Sequence, residues 1–407
     1  MQAEYDYEKN YMCYYIDVGD YTGSVRIERN SSISAYNAAR SASILSLARP
    51  DEYVPNLKPI TKIENRRSKK KIVDLANKIR NDCIKQVPIL NADGTNENYI
   101  IYDENNLEES IQQIINKIGA DEAIDVLVLK NELVAEKSGF GCYYSILGKE
   151  TLYYRQHYEQ IASEIMSDDI TKLGVAPSLF YKIVKLYYLI KDNSLRITEY
   201  IPQTVYKDLS LKKLSIIRNK LDSIKPDSLK TWAESIYEFC KDDPFIKNII
   251  AFNIGESFNS FTDIKNYVYE SLFNNVNDEE SDNALTIVDK LFDIDFNIYI
   301  SLYEYLIGKT KNRIRYHTFH STKGLEYDNV ILAITNSFYR KNDYFHSYFK
   351  DLSNLENNPD FDYKKNLLYV AVTRAKNSLY TIYVDDRYDD IKTNFESIFG
   401  PTIFLDF

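Results

Sequence analysis

The stretch KNLLYVAVTRAKNSLYTIYV (365–384) changes its period partway along. Leu367 and Ala371 stand four residues apart, as on one face of a helix, and the spacing predicts a helix over 365–377. SLYTIYV (378–384) then runs apolar, aromatic and β-branched, which predicts a buried strand. A helix feeding a strand is the repeating unit of an α/β domain. Arg374 lies seven residues after Leu367 and three after Ala371, at the edge of the apolar stripe. An arginine buried there calls for an anionic partner. That partner is either a carboxylate of the same domain or a phosphate presented by a neighbouring one.

Working outward, IRYHTF (314–319) and NVILAIT (329–335) read as strands, joined by the loop HSTKGLEYD (320–328). The segment 338–362 reads as a polar surface excursion. Upstream, LEESIQQIINKI (107–118) reads as a helix and IDVLVLK (124–130) as a buried strand. LKPITKI (57–63) reads as a strand, and Ile72, Leu75, Ala76 and Ile79 share one face of a helix expected from Ser68 to Asn81. YMCYYIDVGD (11–20) predicts a strand ending in a Gly-Asp turn, followed by a helix over 32–48. Between about 150 and 305 the patterning is helical almost throughout, as in SLFYKIVKLYYLIK and SLKTWAESIYEFC. The expected organisation is an α/β domain with a parallel sheet over 56–150 and 306–407, interrupted by an all-helical insertion over 151–305, with 1–55 apart.

Composition narrows the classes. The chain of 407 residues carries a net charge of −10, which argues against a face coated in nucleic acid but leaves room for a narrow basic track. Two local basic runs exist, RRSKKK (66–71) and KTKNRIR (309–315). No apolar run reaches the roughly 18 residues of a membrane span, and the acidic, aromatic N-terminus resembles no targeting peptide. A cytoplasmic protein without membrane contact is the expectation. Cys13, Cys83, Cys142 and Cys240 are scattered without a CxxC pair, and the four histidines include no HExxH, so reduced thiols and no dedicated metal site are expected.

HSTKGLEYDNVI (320–331) and LLYVAVTRAKNSLYTIYV (367–384) together resemble motifs V and VI of the UvrD/Rep superfamily 1 DNA helicases, in that family's order. IENRRSKKKIVDLANKI (63–79) resembles motif IV, an Asn-aromatic-Arg-Ser sequence opening a helix. The resemblance implies a RecA-like, P-loop-NTPase-type second motor domain. It implies that Arg374 and Arg67 reach the γ-phosphate of ATP and stabilise developing charge, and that Glu326 holds the ribose. It further implies that His320, Ser321, Thr322 and Lys323 line a DNA strand, with Gly324 allowing the sharp turn among nucleotide-binding residues. A phosphate at the helix start would also account for basic residues placed against the helix dipole. Two positions depart from the pattern: Arg66 replaces the aromatic residue of motif IV, and Thr322 stands where alanine is common.

The larger departure is the absence of GxxxxGK[ST]. GKT (308–310) has Tyr303 where the first glycine belongs, and LYEYLI before it reads as helix. The chain therefore needs a first motor domain, or a partner subunit, to supply the phosphate-binding loop and hold Mg2+. Gly19-Asp20 with SISAYNAA (32–39) resembles motif III, the end of such a first domain. The leading expectation is the C-terminal half of an ATP-dependent translocase acting on single-stranded or partly duplex DNA. The alternative is an ATP-inert DNA-binding or scaffold subunit in a repair or phage-defence complex, with a nuclease as a candidate partner.

Overall fold

The computed structural model describes residues 2–6, 11–18, 21–28, 63–82, 84–119, 122–166, 169–191, 210–273, 278–309, 313–338, 342–352 and 359–405. Strands Gln2–Asp6, Tyr11–Val18 and Tyr21–Glu28 form a small antiparallel sheet, the middle one being the strand expected over 11–20. The Gly19-Asp20 turn, the helix expected over 32–48 and most of the strand expected over 57–63 lie outside the described residues.

The chain divides into two compact units, 1–130 with 313–407, and 131–312. The first is built on a six-stranded sheet: β1 (Thr95–Ile101), β2 (Ile124–Val128), β3 (Ile314–Thr318), β4 (Tyr327–Ile334), β5 (Ala375–Val384) and β6 (Thr402–Phe404). The strand order is β6-β1-β5-β4-β2-β3, and every pairing is parallel. Strands covered on both faces need apolar side chains on both, so Val330 to Ile334 form an unbroken apolar run with every member buried.

Helices α1 (Lys70–Arg80), α2 (Leu107–Ile118), α3 (Tyr344–Lys350), α4 (Pro359–Val372) and α5 (Lys392–Phe399) surround this sheet. Ile72, Leu75 and Ile79 of α1 join Leu332, Leu379, Tyr383, Leu368 and Phe395 in one apolar core. The alternate residues Tyr380, Ile382 and Val384 point the other way, as strand alternation requires, and α2 packs on β5 with Leu107, Ile111, Ile114 and Ile115 buried.

Four expectations are adjusted. The stretch 338–362, expected as a polar surface excursion, holds α3, which buries Tyr344, Phe345, Tyr348 and Phe349 in the apolar core, with His346 buried as well. Strand β1 was not anticipated, since its first half, Thr95–Asn98, is polar. Asn98 is nonetheless buried, its amide donating to Phe399 O at 2.8 Å. The helix expected over 365–377 spans 359–372 instead, with Pro359 opening it and Asp360 and Asp362 complementing the dipole in its first turn. By Ala375 the chain has entered β5, paired with Tyr327 of β4.

The described residues of the second unit, 131–312, are built of helices, the first being Asn131–Lys137. Edge-to-face contacts among Tyr143, Phe180, Phe292 and Tyr299 form its aromatic centre. Ser228 and Ser260 open two of its helices with capping boxes. Gly308 follows the helix Phe296–Leu306, at a helix C-terminus, whereas a phosphate-binding loop runs from a strand into a helix.

Candidate functional site

Three segments far apart in sequence meet at the N-terminal ends of β4 and β5. The first is the loop leading into α1. Asn65 is buried and its carbonyl oxygen accepts from the backbone N–H groups of Arg67 and Ser68, both at 3.0 Å. Its amide donates to Gln86 Oε1 at 2.8 Å. The Ser68 hydroxyl donates to Ala375 O at 2.8 Å and the Lys69 N–H to Lys376 O at 2.9 Å, which fixes this loop to the first turn of β5. Arg67 is thereby held half-buried, and its Nη1 donates to Glu326 Oε1 at 3.2 Å.

The second segment is the loop 319–326. Ser321 and Thr318 exchange hydrogen bonds between hydroxyl and backbone N–H, each 3.1 Å long. Leu325 N donates to Thr322 O at 2.9 Å, closing a turn in which Gly324 takes φ +87°. A Cβ there would meet nothing within 4 Å, so the backbone conformation, and not crowding, calls for glycine.

Arg374 belongs to the third segment. It is 4% exposed, and its guanidinium donates to Leu325 O (3.0 Å), Thr322 O (3.3 Å), Val370 O (2.9 Å) and Thr373 Oγ1 (3.1 Å). Its own carbonyl accepts from Tyr327 N at 2.9 Å. These bonds bring oriented carbonyl dipoles to the cation. The two arginines act on consecutive residues, Arg374 on Leu325 and Arg67 on Glu326. Glu326 keeps 43% of its side chain exposed.

The remaining loop residues divide. His320 and Lys323 are exposed, and Ser321 is half-buried. Thr322 is fully buried, its hydroxyl donating to Phe319 O at 2.9 Å, so its side chain serves the turn and offers nothing to a ligand. The His320 ring lies against Tyr363, Nε2 to Oη 2.7 Å, and stacks at 17° to Phe338. Desolvation on that packed side pushes the imidazole pKa below its ordinary value, although its outer edge is open.

Beside this site, a cluster that sequence reading overlooked joins β2, β3 and β4. Buried Asp125 accepts from Arg315 at 2.8 Å and lies 2.9 Å from His317 Nε2, while His317 stacks on Tyr327 at 22°. The alternation of Arg315 and His317 along β3 was the available signal, since it places both on the face of Asp125.

The set of groups suits a nucleotide triphosphate: guanidinium for phosphate oxygens, and an open carboxylate for ribose hydroxyls. A parallel sheet with helices packed around it is the α/β fold of a helicase-type C-terminal domain. The chain matches the UvrD-like helicase C-terminal domain over residues 142–386 and belongs to that family. It is also 33% identical over 356 residues to the Gabija protein GajB of Bacillus cereus (strain HuB5-5), covering 84% of this chain and 52% of that protein. The chain therefore spans about half the length of this curated relative. Among the described residues no helix is long and apolar enough to cross a membrane.

Proposed function

We propose that this chain is the C-terminal motor half of an ATP-dependent DNA translocase or helicase. The observation that carries the reading is the convergence of Arg67, Glu326 and Arg374 at the start of β4 and β5. ATP, with Mg2+ held by a domain or subunit bearing the phosphate-binding loop, would supply the phosphoanhydride bond that drives movement. On this side Arg67 and Arg374 would receive phosphate oxygens and Glu326 would orient the ribose. Opening the partly exposed Arg67–Glu326 pair costs little, because such pairs contribute only about 0–1 kcal/mol. The bond between them can thus give way when nucleotide arrives.

His320, Ser321 and Lys323 would face single-stranded DNA. Register supports a mechanical role for the loop that carries them. Arg315 pairs with Asp125, which pairs with Val330, so Thr318 stands level with Ala333. The loop therefore returns along the strands by six residues, about 20 Å at ~3.3 Å per residue, from the His320 end to the Glu326 end. A contact at one end is linked to the other by six residues of hydrogen-bonded turn.

A second reading, an ATP-inert binding or scaffold subunit, gains support from Arg374, whose four internal bonds give it a purely structural reason to exist. The test is ATP hydrolysis with and without single-stranded DNA, for the chain alone and with an added domain bearing the phosphate-binding loop. Arg67→Ala should abolish turnover of the completed assembly while DNA binding persists. Undiminished turnover in that variant overturns the motor reading, and no turnover in any assembly favours the scaffold.

A further inference from the structure

Strand β3, at the edge of the sheet, turns two polar side chains toward buried Asp125 of β2. Arg315 Nη2 donates to Asp125 Oδ2 at 2.8 Å, and His317 Nε2 lies 2.9 Å from Oδ1, so both carboxylate oxygens are engaged. The Asp125 side chain is 2% exposed, and a carboxylate so buried requires such partners. Facing a guanidinium, it accepts and does not donate, which places the imidazole proton on Nε2 and sets the plane of the His317 ring. That ring lies against Tyr327, with centroids 4.9 Å apart at 22°, and the Arg315 guanidinium sits 5.9 Å from the centre of the same tyrosine ring. Tyr327 opens β4 and directly follows Glu326.

We infer that His317 is a positioning residue for Glu326, acting through the Tyr327 ring to aim the carboxylate at a ribose, an inference that rests on the nucleotide reading of Glu326. The start of β4 gains from such a hold. Tyr327 pairs with Ala375, but the next pair is Asn329 with Ser378, across an irregularity in β5, so the ladder is interrupted just where Glu326 leaves it. The bond from Tyr327 N–H to Arg374 O, 2.9 Å long, holds the backbone, and the stacked ring adds a second point of fixation. Glu326 and Tyr327 share a rigid peptide plane, so restraining Tyr327 restricts the direction in which Glu326 projects. An aliphatic residue at 317 would fill similar space, but it would have no hydrogen bond to Asp125 to fix its rotamer. Asp125, Arg315 and His317 all lie outside the three motif-like stretches 63–79, 320–331 and 367–384, and only the sheet brings them to Tyr327.

The test is calorimetric titration with ATP and with 2′,3′-dideoxy-ATP, both with Mg2+, on the full chain completed by a domain bearing the phosphate-binding loop. The wild type should prefer ATP by roughly tenfold or more, as a hydrogen bond to a charged group warrants. Glu326→Ala should abolish that preference. His317→Leu should lower it to about threefold or less, with affinity for the dideoxy compound little changed, because only the aim of one charged hydrogen bond is lost. In the Glu326→Ala background, His317→Leu should alter the ratio no further, since both act on one contact. Tyr327→Phe, which keeps the ring, should retain the preference. Full preference in His317→Leu, or equal loss of affinity for both nucleotides, overturns the positioning role and leaves the ribose reading standing. A wild type that binds both nucleotides equally, or neither, overturns the ribose reading and the positioning role with it. Should His317→Leu fail to fold, the wild type labelled at histidine gives the answer by NMR: the His317 ring resonance should move with ATP and much less with the dideoxy compound. Equal movement with both, or none with either, overturns the inference.

Discussion

Arg67 and Glu326, 259 residues apart in the chain, share a hydrogen bond of 3.2 Å at the start of the central strands. The pair is only partly buried, 17% and 43% exposed, so solvent screens the attraction between its charges. A double-mutant cycle with Arg67→Ala and Glu326→Gln should give a coupling in folding stability below about 1 kcal/mol. Urea denaturation measures it. A coupling above ~2 kcal/mol would mark the pair as a structural strut.

Arg374 behaves differently. Its guanidinium serves three backbone carbonyls and the Thr373 hydroxyl in a buried setting. Arg374→Ala should destabilise the fold by about 2–4 kcal/mol, because it strands buried acceptors of the 322–325 turn. Arg374→Lys should recover only part, since an ammonium cannot span the same fork of acceptors. Thermal melting checks both, and it must accompany any activity assay on this residue. An unshifted melting point in the alanine variant would contradict the pin described here.

Asn65 shapes the loop that presents Arg67. Asn65→Ala removes an acceptor shared by two backbone N–H groups and the bond to Gln86, and should cost about 1–3 kcal/mol. If the loop positions Arg67 for nucleotide, this variant should also weaken binding of a fluorescent ATP analogue to the completed assembly. Asn65→Asp, which keeps the acceptor, should rescue most of that effect. Equal losses in both variants would deny the capping role.

Gly324→Ala isolates backbone strain from packing, because φ is +87° and the space around the added methyl is open. The expected cost is about 1–2 kcal/mol in chemical denaturation. Relaxation of the turn would also displace Leu325 O from Arg374. A neutral substitution would show that the turn tolerates an L-residue.

Much of this protein is local enough to read in its residues. Helix 107–118 and the strands near 124, 314 and 329 follow from apolar period and turn residues. The loop with its glycine was equally legible, because a left-handed turn restricts residue choice wherever it occurs. Strand β1 was hidden because Asn98 looks like a surface residue until Phe399 O receives its amide. The aromatic segment 344–349 was read as surface through attention to its polar neighbours, although its rings signalled burial.

By sequence alone, then, the α/β character and the helical patterning of the middle of the chain were legible, since each depends on period along the chain, while Arg67, Glu326 and Arg374 were singled out only through the resemblance of their motifs. Only the tertiary structure decided who solvates Arg374, that Thr322 faces inward, and that Phe338 and Tyr363 flank His320. The reason is physical: a buried polar group takes whichever partner the fold delivers, and that partner comes from segments no local pattern connects.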